Sequence, residues 1–73
     1  MCYGGIFMGS VRISYNGYTV NFIPSTEVES FIQSKLHYEL KPVKIVDFVQ
    51  NGARVVIYQY YTLYQEVFVI TNN

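Results

Sequence analysis

The sequence predicts a small α+β domain: an antiparallel sheet of about five strands, ordered β-β-α-β-β-β, with one helix packed on one face. Two observations carry most of this. Asn-Gly occurs twice, at Asn16-Gly17 and Asn51-Gly52, each time between runs rich in β-branched and aromatic residues. Between these two units lies one stretch, bounded by Pro24 and Pro42, whose apolar residues recur at helical spacing.

Residues 10–23, SVRISYNGYTVNFI, form the first hairpin. A two-residue type I′ turn needs positive φ at both central positions, which Asn-Gly supplies cheaply. The turn sets the register: Tyr15 faces Tyr18, Ile13 faces Val20 and Val11 faces Phe22, all on the core side. Ser14, Thr19, Arg12 and Asn21 then fall on a wet side. Pro24-Ser25-Thr26 interrupts the strand pattern, and Thr26-x-x-Glu29 has the spacing of a capping box. From Glu27 to about Leu40 the residues Val28, Phe31, Ile32, Leu36 and Leu40 predict an amphipathic helix. Glu27 and Glu29 at its start and Lys35 and Lys41 toward its end complement the dipole, and Pro42 closes it.

The second hairpin joins residues 43–49 to residues 53–61 through Asn51-Gly52, and a last strand covers roughly residues 65–71. Its connection, Thr62-Leu63-Tyr64, has no strong turn residue. Residues 1–9 read as an irregular arm or short strand, weakened by Gly4, Gly5 and Gly9, ahead of a single domain over residues 10–73.

Register on the second hairpin points to an interaction surface. Phe48 pairs with Val55 and Val46 with Ile57, an apolar face suited to the helix. The opposite face pairs Val49 with Arg54, Asp47 with Val56, Ile45 with Tyr58 and Val43 with Tyr60. A sheet with one wet side should alternate cleanly, and this one does not. Val43, Ile45, Val49, Val56, Tyr58 and Tyr60 are therefore expected to form an exposed interface.

Composition narrows the function. The chain has 73 residues, of which 51% are hydrophobic and only 14% charged, so disorder is excluded. Five basic and five acidic residues cancel, which removes both a field for gathering phosphates and the self-repulsion that keeps small proteins apart. Apolar burial on the order of 110 kcal/mol roughly equals the ordering entropy of a chain this size, so burial against a second copy would tip the sum. Cys2 is the only cysteine, so no intrachain disulfide forms, and a reducing cytoplasm is expected. The stretch MCYGGIFMGS has no basic region or long apolar run, so neither a signal peptide nor membrane association is expected.

Catalytic chemistry finds little support. His37 is the only histidine, and a Cys2–His37 pair is outweighed by an ordinary helix-surface histidine. Glu27, Glu29, Glu39, Asp47 and Glu66 could supply a carboxylate pair. Glu27 and Glu29 are better explained by the helix start, and Asp47 by an ion pair with Arg54. Gly4-Gly5-x-x-x-Gly9 lacks the ending of a phosphate loop. No catalytic residue, metal site or cofactor is assigned.

The eight tyrosines offer a second reading. Bases stack on sheet-borne aromatics, so Tyr58, Tyr60 and Tyr64, with Arg54 and Lys44 nearby, could hold a nucleotide or single-stranded nucleic acid. No Arg/Lys-rich aromatic motif accompanies them. The favoured expectation is a non-enzymatic protein that forms a homo-oligomer, in the simplest case a dimer, and binds or inhibits another macromolecule. Short length, high Tyr and Asn content and no catalytic set also match small proteins carried by phages and other mobile elements.

Overall fold

Both Asn-Gly pairs form the turns their chemistry predicts. In the computed structural model, which describes residues 9–36, 40–61 and 64–73, φ is 49° and 80° at Asn16 and Gly17, and 54° and 80° at Asn51 and Gly52. Only glycine takes the second of these without strain, since a Cβ resists that left-handed backbone even in open space.

Strands β1 (Ser10–Tyr15) and β2 (Tyr18–Pro24) make the first hairpin. A 3-10 turn at Ser25–Glu27 leads into α1 (Val28–Lys35), followed by β3 (Lys44–Gln50), β4 (Ala53–Tyr61) and β5 (Tyr64–Asn72). The five strands form one antiparallel sheet in the order β2-β1-β5-β4-β3. The chain thus builds one edge, crosses the sheet through α1, builds the other edge, and returns to close beside β1. The predicted α+β class and element order hold.

Four local expectations need correction. The helix ends at Lys35, and Leu36 is extended, with ψ 153°. Leu40 still reaches the core edge, as the apolar spacing required, but not as part of α1. No capping box forms, because Thr26 lies inside the 3-10 turn and Glu29 is drawn away to Arg54. Val11 pairs with Ile23 and not with Phe22, because a bulge opposite Arg12 shifts the register by one. Phe22 sits in that bulge at φ 62°, exposed, and Ile23 takes the inward place. The fourth correction is larger. Val56, Tyr58 and Tyr60 lie under the helix layer, so the face expected to be open is the core, and the face of Val46, Phe48, Val55 and Ile57 is the open one.

The core explains why. Ile13 and Ile32 are fully enclosed, with Val11, Ile23, Val28, Val56, Tyr58, Tyr60, Phe68 and Ile70 around them. Pairing of Ile13 with Ile70 and of Tyr15 with Phe68 ties β5 to the inward side of β1. Val56 pairs with Phe68 in turn, so the inward side passes from strand to strand and reaches β4 at Val56 and Tyr58. Aromatic rings seal this layer: Tyr15 stacks on Phe68 at 5.6 Å and meets Phe31 edge-on at 5.7 Å, while Tyr58 meets Phe68 edge-on at 6.2 Å.

Candidate interaction surface

With the helix on one side, strand alternation places a compact apolar patch on the other. Phe48 pairs with Val55, and Val55 with Val69; Val46 pairs with Ile57, and Ile57 with Val67. Two rows across three neighbouring strands therefore carry only Val, Ile and Phe side chains. They are half-buried by their own neighbours, except for Phe48, which is exposed. Polar residues frame the patch. Gln50, Thr71 and Arg12 lie beyond one row, and Lys44, Gln59 and Gln65 beyond the other. Ser14 and Thr19 continue the Val55–Val69 row toward the far edge, and their hydroxyls are 3.2 Å apart. Arg12 Nε donates to Asn21 Oδ1 at 2.8 Å. An apolar patch rimmed by polar groups is the usual form of a macromolecular contact surface.

The residues assigned from sequence divide into two groups. Val56, Tyr58 and Tyr60 retain 2%, 7% and 2% of their accessible surface, so they are core and not interface. Their misassignment has a physical cause: both faces of the second hairpin are apolar, and pairing register alone does not say which one the helix covers. Val43, just ahead of β3, is 74% exposed; Ile45 and Val49, on β3, stand 56% and 75% exposed. They share the helix side of the sheet, but α1 is only eight residues, about 12 Å long, and leaves the outermost strand open.

The stacking alternative loses its platforms. Tyr58 and Tyr60 have no free ring face. Burial raises the Tyr58 pKa, with the Glu29 charge adding to it, and its hydroxyl lies 3.5 Å from the Gln33 amide nitrogen. Tyr64 rests against Tyr60, ring centres 5.4 Å apart. Lys44 lies on the other face. Cys2, Gly4, Gly5, His37, Glu39 and the Thr62-Leu63 connection fall outside the described residues, and with them the Cys2–His37 pairing and the N-terminal arm.

Arg54 has a structural role in place of a phosphate contact. Its Nε and Nη2 donate to the two carboxylate oxygens of Asp47 at 3.0 and 2.7 Å, and Nη2 also donates to Glu29 Oε2 at 3.0 Å. The cross-strand pair was expected; the link to Glu29, which pins α1 to the β3–β4 hairpin, was not. The Arg54 hydrogen bonds hold Asp47 below the usual carboxylate range and Arg54 above its own. A depressed carboxylate stabilises the fold above its unfolded value of 3.8 and ceases to do so as pH falls through the folded value. Stability is therefore expected to drop below about pH 4, by less than about 1 kcal/mol from this exposed pair, and Asp47→Asn should flatten that part of the urea-midpoint profile.

Elsewhere, an open groove of about 370 Å³ runs between β2 and α1, lined by Phe22, Ile23, Glu27 and Phe31 among others. Among the described residues, no three His, Cys, Asp or Glu side chains are grouped to hold a metal ion, and no helix is long and apolar enough to cross a membrane. One signal was missed entirely: Glu66 is buried and accepts a 2.7 Å hydrogen bond from the Tyr60 hydroxyl. Comparison with protein-family models, with curated proteins and with solved structures gave no match.

Proposed function

We propose that this chain is a non-enzymatic interaction protein whose open sheet face packs against the same face of a second copy. The carrying observation is the two-row patch of Val46, Phe48, Val55, Ile57, Val67 and Val69 on the side away from the helix. An apolar sheet face is stable only when another layer covers it. Five strands of about seven residues make a face of about 24 by 24 Å. Its accessible area, larger than that projection, is on the order of the 800 Å² per partner of a standard interface. Zero net charge leaves nothing to hold two copies apart. A foreign protein with an apolar surface would compete for the same face, and the self-associated form is the binding unit offered to such a partner through its rim.

Light scattering over a concentration series tests this. The wild-type chain is expected at a multiple of 8.5 kDa. Ile57→Lys, which places a charge in the middle of the patch, should halve that mass while leaving the far-ultraviolet spectrum unchanged. A wild-type mass of 8.5 kDa at every concentration, or an Ile57→Lys mass equal to wild type, would overturn the proposal.

A further inference from the structure

The two edges of the sheet are finished differently. On β2 the ladder is broken by the bulge at Phe22 and ends in Pro24, which has no N–H to donate. Bulges and edge prolines are standard devices against strand addition. Among the described residues, nothing of the kind occurs on β3. Its register with β4 runs unbroken from Lys44↔Gln59 to Gln50↔Ala53.

Gln50 and Ala53 close a two-residue turn, so they exchange both hydrogen bonds, and the same holds at Phe48 and Val46. The residues between them, Ile45, Asp47 and Val49, therefore aim their N–H and C=O groups outward. Three outward-facing peptide groups on a seven-residue strand, with Val43, Ile45 and Val49 exposed beside them, form a template for another strand.

We propose that β3 pairs antiparallel with β3 of a second copy, across a two-fold axis at Val46, joining two five-stranded sheets into one. The pairing is self-complementary in this register. Ile45 meets the partner's Asp47, Val46 meets the partner's Val46, and Lys44 lies against the partner's Phe48 ring. An axis at Asp47 would set two carboxylates directly opposite, which is unfavourable. An axis at Phe48 would carry Ile45 past the end of the partner strand, opposite its Asn51-Gly52 turn. Pairing of like edges also closes on itself: each copy uses the edge that the described residues leave open, and the blunted β2 edge stops growth, so a closed dimer forms and not a fibre. This contact uses the edge of the sheet and does not depend on the contact through its face.

Cross-linking separates the two. At a non-hydrogen-bonded antiparallel position the Cα atoms lie about 4.5 Å apart, within disulfide range. In a chain carrying Cys2→Ser and Ile57→Lys, so that face contact is removed, Val46→Cys is expected to give a covalent species of twice 8.5 kDa on mild oxidation. Phe48→Cys in the same background should give about tenfold less. Before oxidation the Ile57→Lys chain should scatter as twice 8.5 kDa, and adding Ile45→Pro, which removes an outward N–H, should reduce it to 8.5 kDa. Failure of Val46→Cys to cross-link, or preferential cross-linking through Phe48→Cys, would overturn the proposed pairing. If the face proposal alone is wrong, Ile57→Lys leaves the mass unchanged and Val46→Cys still cross-links.

Discussion

Ile32→Ala is expected to lower stability by about 2–5 kcal/mol, the range for truncating a fully enclosed aliphatic side chain. Ile32 has no accessible surface and lies at the centre of α1, the only described helix above the sheet. That helix is too short to hold itself together: isolated helices below about 12 residues are marginal, so its order comes from the side chains it buries. Val28 and Ile32 are its two buried residues, with Phe31 partly so. Removing Ile32 leaves a cavity against Ile13 and the neighbouring core and also frees the helix that closes it. A 73-residue domain has on the order of 4–11 kcal/mol in total, so the loss is a large fraction of the whole. The urea midpoint at fixed protein concentration reads it, since self-association would otherwise move the midpoint. Phe22→Ala is the control: its ring is exposed at the β2 edge, and its effect should stay within about 0.5 kcal/mol. Equal midpoints for the two variants would mean that α1 is not what closes the core.

How far the sequence could be read depends on the reach of each signal. Turn chemistry is local, so Asn16-Gly17 and Asn51-Gly52 placed both hairpins, and in the second every expected pair from Ile45↔Tyr58 to Val49↔Arg54 is observed. The helix was located by period, but its end was not, because Leu36 and Leu40 keep the apolar spacing after the backbone has turned extended. Choosing the face of the second hairpin is a non-local question. The answer passes through β5, whose pairing with β1 carries the inward side from Ile13 to Ile70 and on to β4. The link into β5, Thr62-Leu63, has no turn residue to set its register, so that chain of pairings was hidden. Two apolar faces gave no local reason to prefer one, and Val56, Tyr58 and Tyr60 were assigned to the open side in consequence, whereas Val43, Ile45 and Val49 are exposed as expected. The bulge at Phe22 was equally hidden, because a left-handed backbone at a bulky residue is imposed by the strands around it and not by the residue.

Among the described residues, Glu66 is the charged one that this core encloses, and the Tyr60 hydroxyl bonded to it is enclosed as well. The two lie on adjacent strands near the link between them, so the bond fixes the end of the β4–β5 hairpin that lacks a turn motif. Tyr60→Phe and Glu66→Leu should each cost about 1–3 kcal/mol, because each leaves the other's polar group with a lost partner inside the protein. Tyr60→Phe with Glu66→Leu should cost less than the two singles added together, by at least about 0.5 kcal/mol, since the double variant strands neither end of this bond. The pair also sets an alkaline limit. Burial, then the Glu66 hydrogen bond, raises the Tyr60 pKa well above its ordinary value of 10.0. With the folded value raised, the stabilisation is complete below pH 10 and is lost as pH climbs from there toward the folded value, because the unfolded chain ionises first. Wild type should therefore lose stability more steeply above pH 10 than Tyr60→Phe does. Strictly additive single and double variants, together with parallel alkaline profiles, would remove this hydrogen bond from the account of what holds β4 to β5.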